Sequence, residues 1–190
     1  MQSKPDIITQ LKHQDILVMS ALPIETNNHT DVIYTGLGKV NAALKSIEVI
    51  HKEKPKLIIN YGSCGAINKN ITGLVSIGKF IQHDIDCSPL GFEKGITPFD
   101  DIQEISFDKS LYTCGSGDLF VSNPDALKCD VVDMEAYSIA KACYLSKVDF
   151  LCFKYISDNA DDTAGDIWEE NCSKGFSIFI NKLKSLYADI

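Results

Sequence analysis

The chain contains no arginine, since all 18 of its basic residues are lysines, set against 26 acidic residues. Arginine is the side chain that best holds a phosphate group through two parallel hydrogen bonds, although lysine can bind phosphate as a point charge. A guanidinium clamp for phosphate is therefore excluded, whether the absence reflects function or the codon usage of the source genome. The net charge of -8 and the lack of a lysine-rich block argue against a nucleic-acid surface.

The chain also lacks paired cysteines and long apolar runs. Its seven cysteines are scattered, contain no C-x-x-C pair, and in several cases lie inside apolar stretches. Buried reduced thiols in a cytoplasmic protein are the simplest interpretation. We find no charged-then-apolar leader and no apolar stretch long enough to span a bilayer. The first 14 residues are polar and mixed, and we expect them to be flexible or peripheral.

What the sequence does contain is the composition of one globular domain covering residues 1–190. A hydrophobic content of 45% and a charged content of 23% are ordinary for a soluble protein of this length. There is no internal repeat, low-complexity tract or interdomain linker.

Apolar runs alternate with helical periodicity along the chain. Strands are predicted at residues 15–20, 32–35, 56–61, 75–82, 111–114, 130–133 and 150–157. Helices are predicted from 39 to about 55, after 135, and at the C-terminus, where Trp168 opens the apolar stripe. Residues 62–65 are expected to form a turn, and residues 91–108 a candidate mobile loop. The pattern predicts a single α/β domain with a mixed, mainly parallel central sheet flanked by helices on both faces.

Two acidic motifs stand where apolar strands end, at 133–135 (Asp-Met-Glu) and 157–158 (Ser-Asp). In open α/β sheets, ligands bind at the carboxyl ends of the strands. Asp133 and Glu135 could instead offset the dipole of the following helix, a role we expect for one of the two. Asp158 could likewise cap whatever follows, but a long apolar strand that delivers a carboxylate favours a functional site.

Four other residues are ambiguous by pattern alone. Glu25 follows the first strand and could be a solvated carboxylate, while Ser63 lies between glycines, where backbone and hydroxyl can approach a ligand closely. Lys39 follows a Gly-Leu-Gly segment, but neither a P-loop nor a G-x-G-x-x-G motif is present. Phe120 is either core or a stacking face for a flat ring.

Five segments, in order, resemble the 5'-methylthioadenosine/S-adenosylhomocysteine nucleosidases of the purine nucleoside phosphorylase superfamily. They are the segments at 36–43 (GLGKVNAA), 58–65 (IINYGSCG), 116–120 (SGDLF), 132–136 (VDMEA) and 156–161 (ISDNAD). The resemblance covers the chain from about residue 15 to its end and implies a nucleoside phosphorylase-like fold, shortened near the N-terminus.

The resemblance implies the catalytic residues of an N-glycosyl hydrolase. Glu25 matches the base that activates the attacking water, and Ser63 lies near that water and the sugar. Asp158, helped by Ser157, matches the general acid that protonates adenine N7. Charge develops with opposite signs on the ribose and the base as the bond breaks, so two carboxyl groups take opposite roles. No metal or organic cofactor is required.

The resemblance also implies the substrate contacts. Phe120 is expected to stack on adenine and the Val121 backbone to read its edge, while Met134 packs on the ribose and Glu135 binds its hydroxyls. A segment containing Leu90, Phe92 and Pro98 matches one that family homodimers lend to the 5' pocket of the neighbouring subunit.

The chain departs from the family at several positions. Only ten residues separate Glu25 from Gly36, where a longer hairpin is usual, and Lys154 stands where arginine is common. Two alternatives to a nucleosidase stay open: a phosphate-dependent phosphorylase, against which the missing arginine counts, and an inactive nucleoside-binding homologue. Retention of Glu25, Glu135 and Asp158 favours the hydrolase.

Overall fold

The computed structural model describes residues 5–107, 112–119, 121, 127–160, 168 and 170–188. Four helices are named here: α1 (Ile7–Lys12), α2 (Lys39–Glu53), α3 (Ala136–Ser146) and α4 (Phe176–Leu186). The first strands are β1 (Ile16–Ser20), β2 (Ile33–Tyr34), β3 (Leu57–Ala66) and β4 (Leu74–Gln82). The later ones are β5 (Glu104–Ser106), β6 (Tyr112–Ser116), β7 (Val131–Asp133) and β8 (Asp149–Asp158). Short 3-10 helices occupy Pro23–Thr26 and Ser88–Leu90.

The strands form one mixed, mainly parallel sheet, as predicted. Parallel pairs join β1 to β2 and β3, β3 to β8, and β6 to β4 and β7. Antiparallel pairs join β3 to β7 and β4 to β5 and β8. Strands β3, β8, β4, β6 and β7 therefore close a ring, from which β1 and β2 extend on one side and β5 on another.

Apolar clusters on the two sides of the sheet confirm that helices flank both faces. Along β3, Ile58 belongs to one cluster and Ile59 to the other, as the two-residue period of a strand requires. The first cluster includes Ile139 of α3 and the second includes Phe179 of α4. A strand that is buried on both faces reads as a continuous apolar run, which explains the predicted pattern.

The predicted turn at residues 62–65 is wrong, because β3 continues through it to Ala66, paired with β8. The glycines serve close packing instead. A Cβ at Gly62 would lie 3.1 Å from Lys154 Nζ and 3.2 Å from Glu25 Oε1, and one at Gly65 would lie 2.7 Å from Asp158 Oδ1. Charged side chains thus approach the strand where only glycine leaves room.

The N-terminal segment is not peripheral where it is described. Asp6 caps α1 by accepting hydrogen bonds from the backbone N–H groups of Ile8 and Thr9. Ile7, Ile8 and Leu11 are buried in the second apolar cluster. The segment therefore helps to cover the sheet.

Other boundaries differ less. The predicted loop at 91–108 contains β5, and the apolar stripe predicted for the C-terminal helix is divided, because α4 begins only at Phe176. Five of the seven cysteines are buried, in line with their apolar surroundings. None of the helices in the described part of the chain is long and apolar enough to cross a membrane.

Candidate active site

A cavity of about 250 Å³ opens at the carboxyl ends of β1, β3 and β8. Its lining includes six residues that the sequence predicted for the site: Glu25, Ser63, Val121, Met134, Glu135 and Asp158. Ser157 lies directly behind Asp158. Phe120 lies outside the described residues. Leu90, Phe92 and Pro98 do not line this cavity within one chain.

Glu25 enters the cavity from the 3-10 helix that follows β1, where Pro23 occupies the first turn. Glu25 is 4% exposed, and its carboxylate accepts four hydrogen bonds. Ser20 Oγ and the Leu22 N–H donate to Oε2 at 3.0 and 3.1 Å. The Ser63 N–H and Ser63 Oγ donate to Oε1 at 2.8 and 2.7 Å. Neighbouring strands thus hold both oxygens in place.

Asp158 ends β8 and is buried beside Gly65. Its Oδ1 accepts from the Ala160 N–H at 2.9 Å, and its Oδ2 lies 2.7 Å from Ser157 Oγ. Ser157 Oγ also lies 3.2 Å from the Cys64 carbonyl oxygen. The hydroxyl can therefore donate a hydrogen bond to an ionised Asp158, or accept one from the neutral acid while donating to that carbonyl. Asp158 keeps its hydrogen bonds in either protonation state.

A buried ion pair lies beneath the cavity. Lys154 Nζ is 2.7 Å from Asp133 Oδ2, and the two side chains are 2% and 1% exposed. Burial alone would raise the pKa of Asp133, but the Lys154 ammonium and hydrogen bonds from Ser116 and the Ala136 N–H hold it below its usual range. Burial alone would lower the pKa of Lys154, but Asp133 keeps it well above its usual range. Both groups are charged.

Asp133 takes the helix-terminus role expected for one of the two acidic residues, because the Ala136 N–H that it caps begins α3. Glu135 is left for another purpose. Its Oε1 accepts the Gly38 N–H at 2.8 Å, at the start of α2. Burial raises the pKa of Glu135 to about 8, and the Asp133 carboxylate adds to the rise.

Lys39 does not reach the cavity. Its ammonium pairs with Asp84 and donates to Gln82 Oε1 at 3.1 Å, and its backbone N–H donates to Asp118 Oδ1 at 2.8 Å. The first turn of α2 is thus bound by acidic side chains of this chain. The phosphate role that the Gly-Leu-Gly-Lys segment suggested gains no support.

Sequence reasoning missed two residues of the site. The sequence predicts Trp168 on the apolar stripe of the last helix, but it lines the cavity and donates its Nε1–H to Ser63 Oγ at 2.7 Å. Lys154 stands out in the sequence only as a replacement for arginine, and its ion-pair partner Asp133 lies 21 positions earlier, on another strand of the same sheet. No local signal in the sequence marks either contact.

Comparisons with known proteins agree with this fold. The family model described as the Phosphorylase superfamily matches residues 25–119 and 120–184. The sheet and the carboxylate-lined cavity thus belong to a protein of the phosphorylase superfamily.

Two relatives of similar sequence identify the family within this superfamily. The 5'-methylthioadenosine/S-adenosylhomocysteine nucleosidase of Glaesserella parasuis serovar 5 is 31% identical over 70% of each chain. That of Staphylococcus carnosus is 30% identical over 84% of this chain and 83% of its own. This chain therefore belongs to the 5'-methylthioadenosine/S-adenosylhomocysteine nucleosidase family.

Solved structures show the same fold. The Helicobacter pylori nucleosidase with butyl-thio-DADMe-Immucillin-A has a TM-score of 0.81 and 22% identity, covering 92% of this chain and 98% of its own. The native futalosine hydrolase of Helicobacter pylori strain 26695 has a TM-score of 0.80 and 21% identity, covering 92% and 97%.

Proposed function

We propose that this protein hydrolyses the N-glycosidic bond of adenine nucleosides of the 5'-methylthioadenosine or S-adenosylhomocysteine type. The products are adenine and the free ribosyl compound. The observation that carries the proposal is that Glu25 and Asp158 reach one cavity with opposite hydrogen-bonding options. Glu25 accepts from four donors, whereas Asp158 can carry or lose a proton without losing a partner.

The chemistry follows from these two environments. As the bond from C1' to the base breaks, Asp158 gives its proton to adenine N7, so that the base leaves neutral. While Asp158 is protonated, the Ser157 hydroxyl donates to the Cys64 carbonyl oxygen; once Asp158 is ionised, the hydroxyl donates to Asp158 instead. Glu25 is the final acceptor of the proton that the attacking water loses. Carboxylates near the sugar stabilise the positive charge that develops there.

Substrate contacts are assigned to the remaining lining residues. Glu135 binds the ribose hydroxyls from its position beside Gly38, and Met134 packs against the ribose. The Val121 backbone reads the edge of adenine. Stacking on adenine stays with Phe120, a role that the sequence resemblance implies for a residue outside the described ones. Glu135 is protonated in the free site near neutral pH, because its pKa lies at about 8, so it can donate as well as accept.

The cavity favours water over phosphate as the attacking group. No lysine is among the described residues that line it. Lys154, which lies beneath it, is already paired with Asp133, and Lys39 with Asp84. A phosphate dianion would therefore find no free cation among the described residues of the site. A phosphorylase is disfavoured on this ground, and the assembled carboxyl groups disfavour an inactive binding protein.

Adenine release tests the proposal directly. Incubating the purified protein with 5'-methylthioadenosine and with S-adenosylhomocysteine is expected to release adenine and free sugar at equal rates with and without added phosphate. Chromatography measures both products. Release that requires phosphate and yields a sugar 1-phosphate would show a phosphorylase instead.

A substitution at Asp158 tests its role as the general acid, with a second substitution on β8 as the control. Asp158→Asn is expected to abolish adenine release while nucleoside binding stays measurable, because the change removes the proton and keeps the shape. Asp149→Asn, at the exposed opposite end of β8, is the matched control and is expected to leave the rate unchanged. Near-normal turnover of Asp158→Asn would remove Asp158 from the mechanism.

We further propose a homodimer in which Leu90, Phe92 and Pro98 complete the 5' pocket of a second copy. Leu90 is 71% exposed, and Phe92 contacts Phe99, which is 96% exposed. An apolar stripe on α2 is a second surface on which another copy could pack, since Val40, Leu44 and Ile47 are also exposed.

A cytoplasmic role in methionine salvage agrees with the buried cysteines and the proposed substrates.

A further inference from the structure

Trp168 has no part in the chemistry assigned so far, yet its indole N–H donates to Ser63, the residue whose hydroxyl donates to Glu25. Its Nε1 lies 2.7 Å from Ser63 Oγ, and Ser63 Oγ lies 2.7 Å from Glu25 Oε1. Trp168 is also part of the cavity lining and is the only tryptophan of the chain. The three side chains form an unbroken line of hydrogen bonds from the cavity wall to the proposed base.

The direction of every bond in this line is fixed by chemistry. An indole N–H can only donate, and an ionised carboxylate can only accept. The Ser63 hydroxyl has a single proton, so that proton points at Glu25, while Trp168 occupies one of the two acceptor positions of the oxygen. The second acceptor position of Ser63 Oγ remains for a further donor such as water.

The Glu25 carboxylate has no acceptor position left for a water. Each carboxylate oxygen has about two favourable acceptor directions, and Ser20, Leu22 and Ser63 already fill two on each oxygen. A water could donate to Glu25 directly only by displacing one of these donors, two of which are backbone N–H groups. The acceptor position on Ser63 is reached without breaking any bond.

We propose that Trp168 is a positioning residue that holds the Ser63 hydroxyl as the proton relay between the attacking water and Glu25, an inference that rests on the proposed hydrolysis. The glycosidic bond breaks with its electron pair leaving on the base, and the water oxygen bonds to C1'. The water gives one proton to Ser63 Oγ, Ser63 gives its own to Glu25 Oε1, and the base takes one from Asp158. Exchange with solvent then deprotonates Glu25 and reprotonates Asp158.

Four proteins test the relay: wild type, Ser63→Ala, Trp168→Phe and the double variant, with kcat and KM measured separately. Ser63→Ala removes the relay and is expected to lower kcat by about a hundredfold. Trp168→Phe removes the N–H and is expected to lower kcat about five- to tenfold, the effect of one hydrogen bond. In the Ser63→Ala background the same ring change is expected to leave kcat unaltered. That background is the matched control for ring size.

Two kinetic outcomes would overturn the proposal. A Ser63→Ala variant with wild-type or higher kcat would show that water donates directly to Glu25, on the acceptor position that the lost hydroxyl vacates. A Trp168→Phe loss of equal size in both backgrounds would show that the indole acts by packing alone, since independent effects add and a shared path does not.

A substrate-free measurement separates this inference from the proposed function. Because Trp168 is the only tryptophan, the emission spectrum of the free protein reports on it alone when the excitation wavelength is too long for the seven tyrosines to absorb. Ser63→Ala is expected to shift that spectrum, and an unchanged spectrum would contradict the contact. If the spectrum shifts but the wild type releases no adenine from any nucleoside, the contact stands while the proposed function and the relay both fail.

Discussion

At the scale of single residues, the pair of Asp133 and Lys154 links the floor of the cavity to the stability of the chain. Both charges are buried, so the loss of either leaves the other away from solvent and without an opposite charge. After burial, the Asp133 carboxylate raises the pKa of Glu135 most, and the Lys154 ammonium lowers it. An electrically neutral pair of equal size would remove both of these opposing effects on Glu135.

Lys154→Met is therefore expected to lower the free energy of unfolding by about 3–5 kcal/mol, because it leaves the Asp133 carboxylate buried and unpaired. Urea denaturation at neutral pH measures the change. Lys79→Met is the matched control, since Lys79 pairs with Glu104 at 3.1 Å in a largely exposed contact. That change is expected to cost about 1 kcal/mol or less. Similar losses in the two variants would contradict a stabilising role for the buried pair.

At the scale of elements, α2 shows what periodicity can and cannot predict. The spacing of Val40, Leu44 and Ile47 predicts a helix from Lys39 to about residue 55, and α2 spans Lys39–Glu53. The same spacing normally marks the face that packs on the core, but these side chains are 68%, 68% and 49% exposed. The buried face instead carries Ala42, Ser46 and Val49. The spacing of apolar residues thus predicts a helix with an apolar face, but it does not predict whether that face packs on the core of the same chain.

A double change on this stripe tests the proposed dimer. Val40→Lys with Leu44→Lys is expected to give a monomer, because two ammonium groups would be buried at the apolar contact. Light scattering measures the mass, and the KM of nucleosides with long 5' substituents is expected to rise when the second copy is lost. Lys45→Ala, also on α2, is the control that should keep the mass of the wild type. A double variant with wild-type mass would place the contact elsewhere.

The elements also show why part of the site could be predicted and part could not. The motifs at Glu135 and Asp158 were predicted because each ends an apolar strand, and the structure brings both side chains to one cavity. The turn predicted at residues 62–65 failed because glycine and serine are common both in turns and in strands against which side chains pack closely. The partner of Lys154 depends on pairing between distant strands, which no local pattern records.

At the scale of the whole molecule, the raised pKa of Glu135 makes stability depend on pH. The unfolded chain releases this proton near pH 4.5, whereas the folded protein keeps it until about pH 8. Between these values the folded state binds more protons than the unfolded state, so this contribution to the free energy of unfolding falls as pH rises and is constant above about 8.

Comparison of wild type with Glu135→Gln isolates this contribution, because all other titrating groups are shared. The variant is expected to gain stability relative to wild type as pH increases from 5 to 8, in urea denaturation at a series of pH values. A stability difference that does not change with pH would show that Glu135 ionises alike in the folded and unfolded states.

The closure of five strands into a ring has a consequence for behaviour at high concentration. The longest strands, β3 and β8, have neighbours along both sides, and the borders of the described sheet fall to β2 and β5, which have two and three residues. Unpaired backbone N–H and C=O groups on long, flat borders are what recruit strands from other chains into aggregates. The sheet formed by the described residues has very short border strands, so strands of another folded copy find little backbone with which to pair.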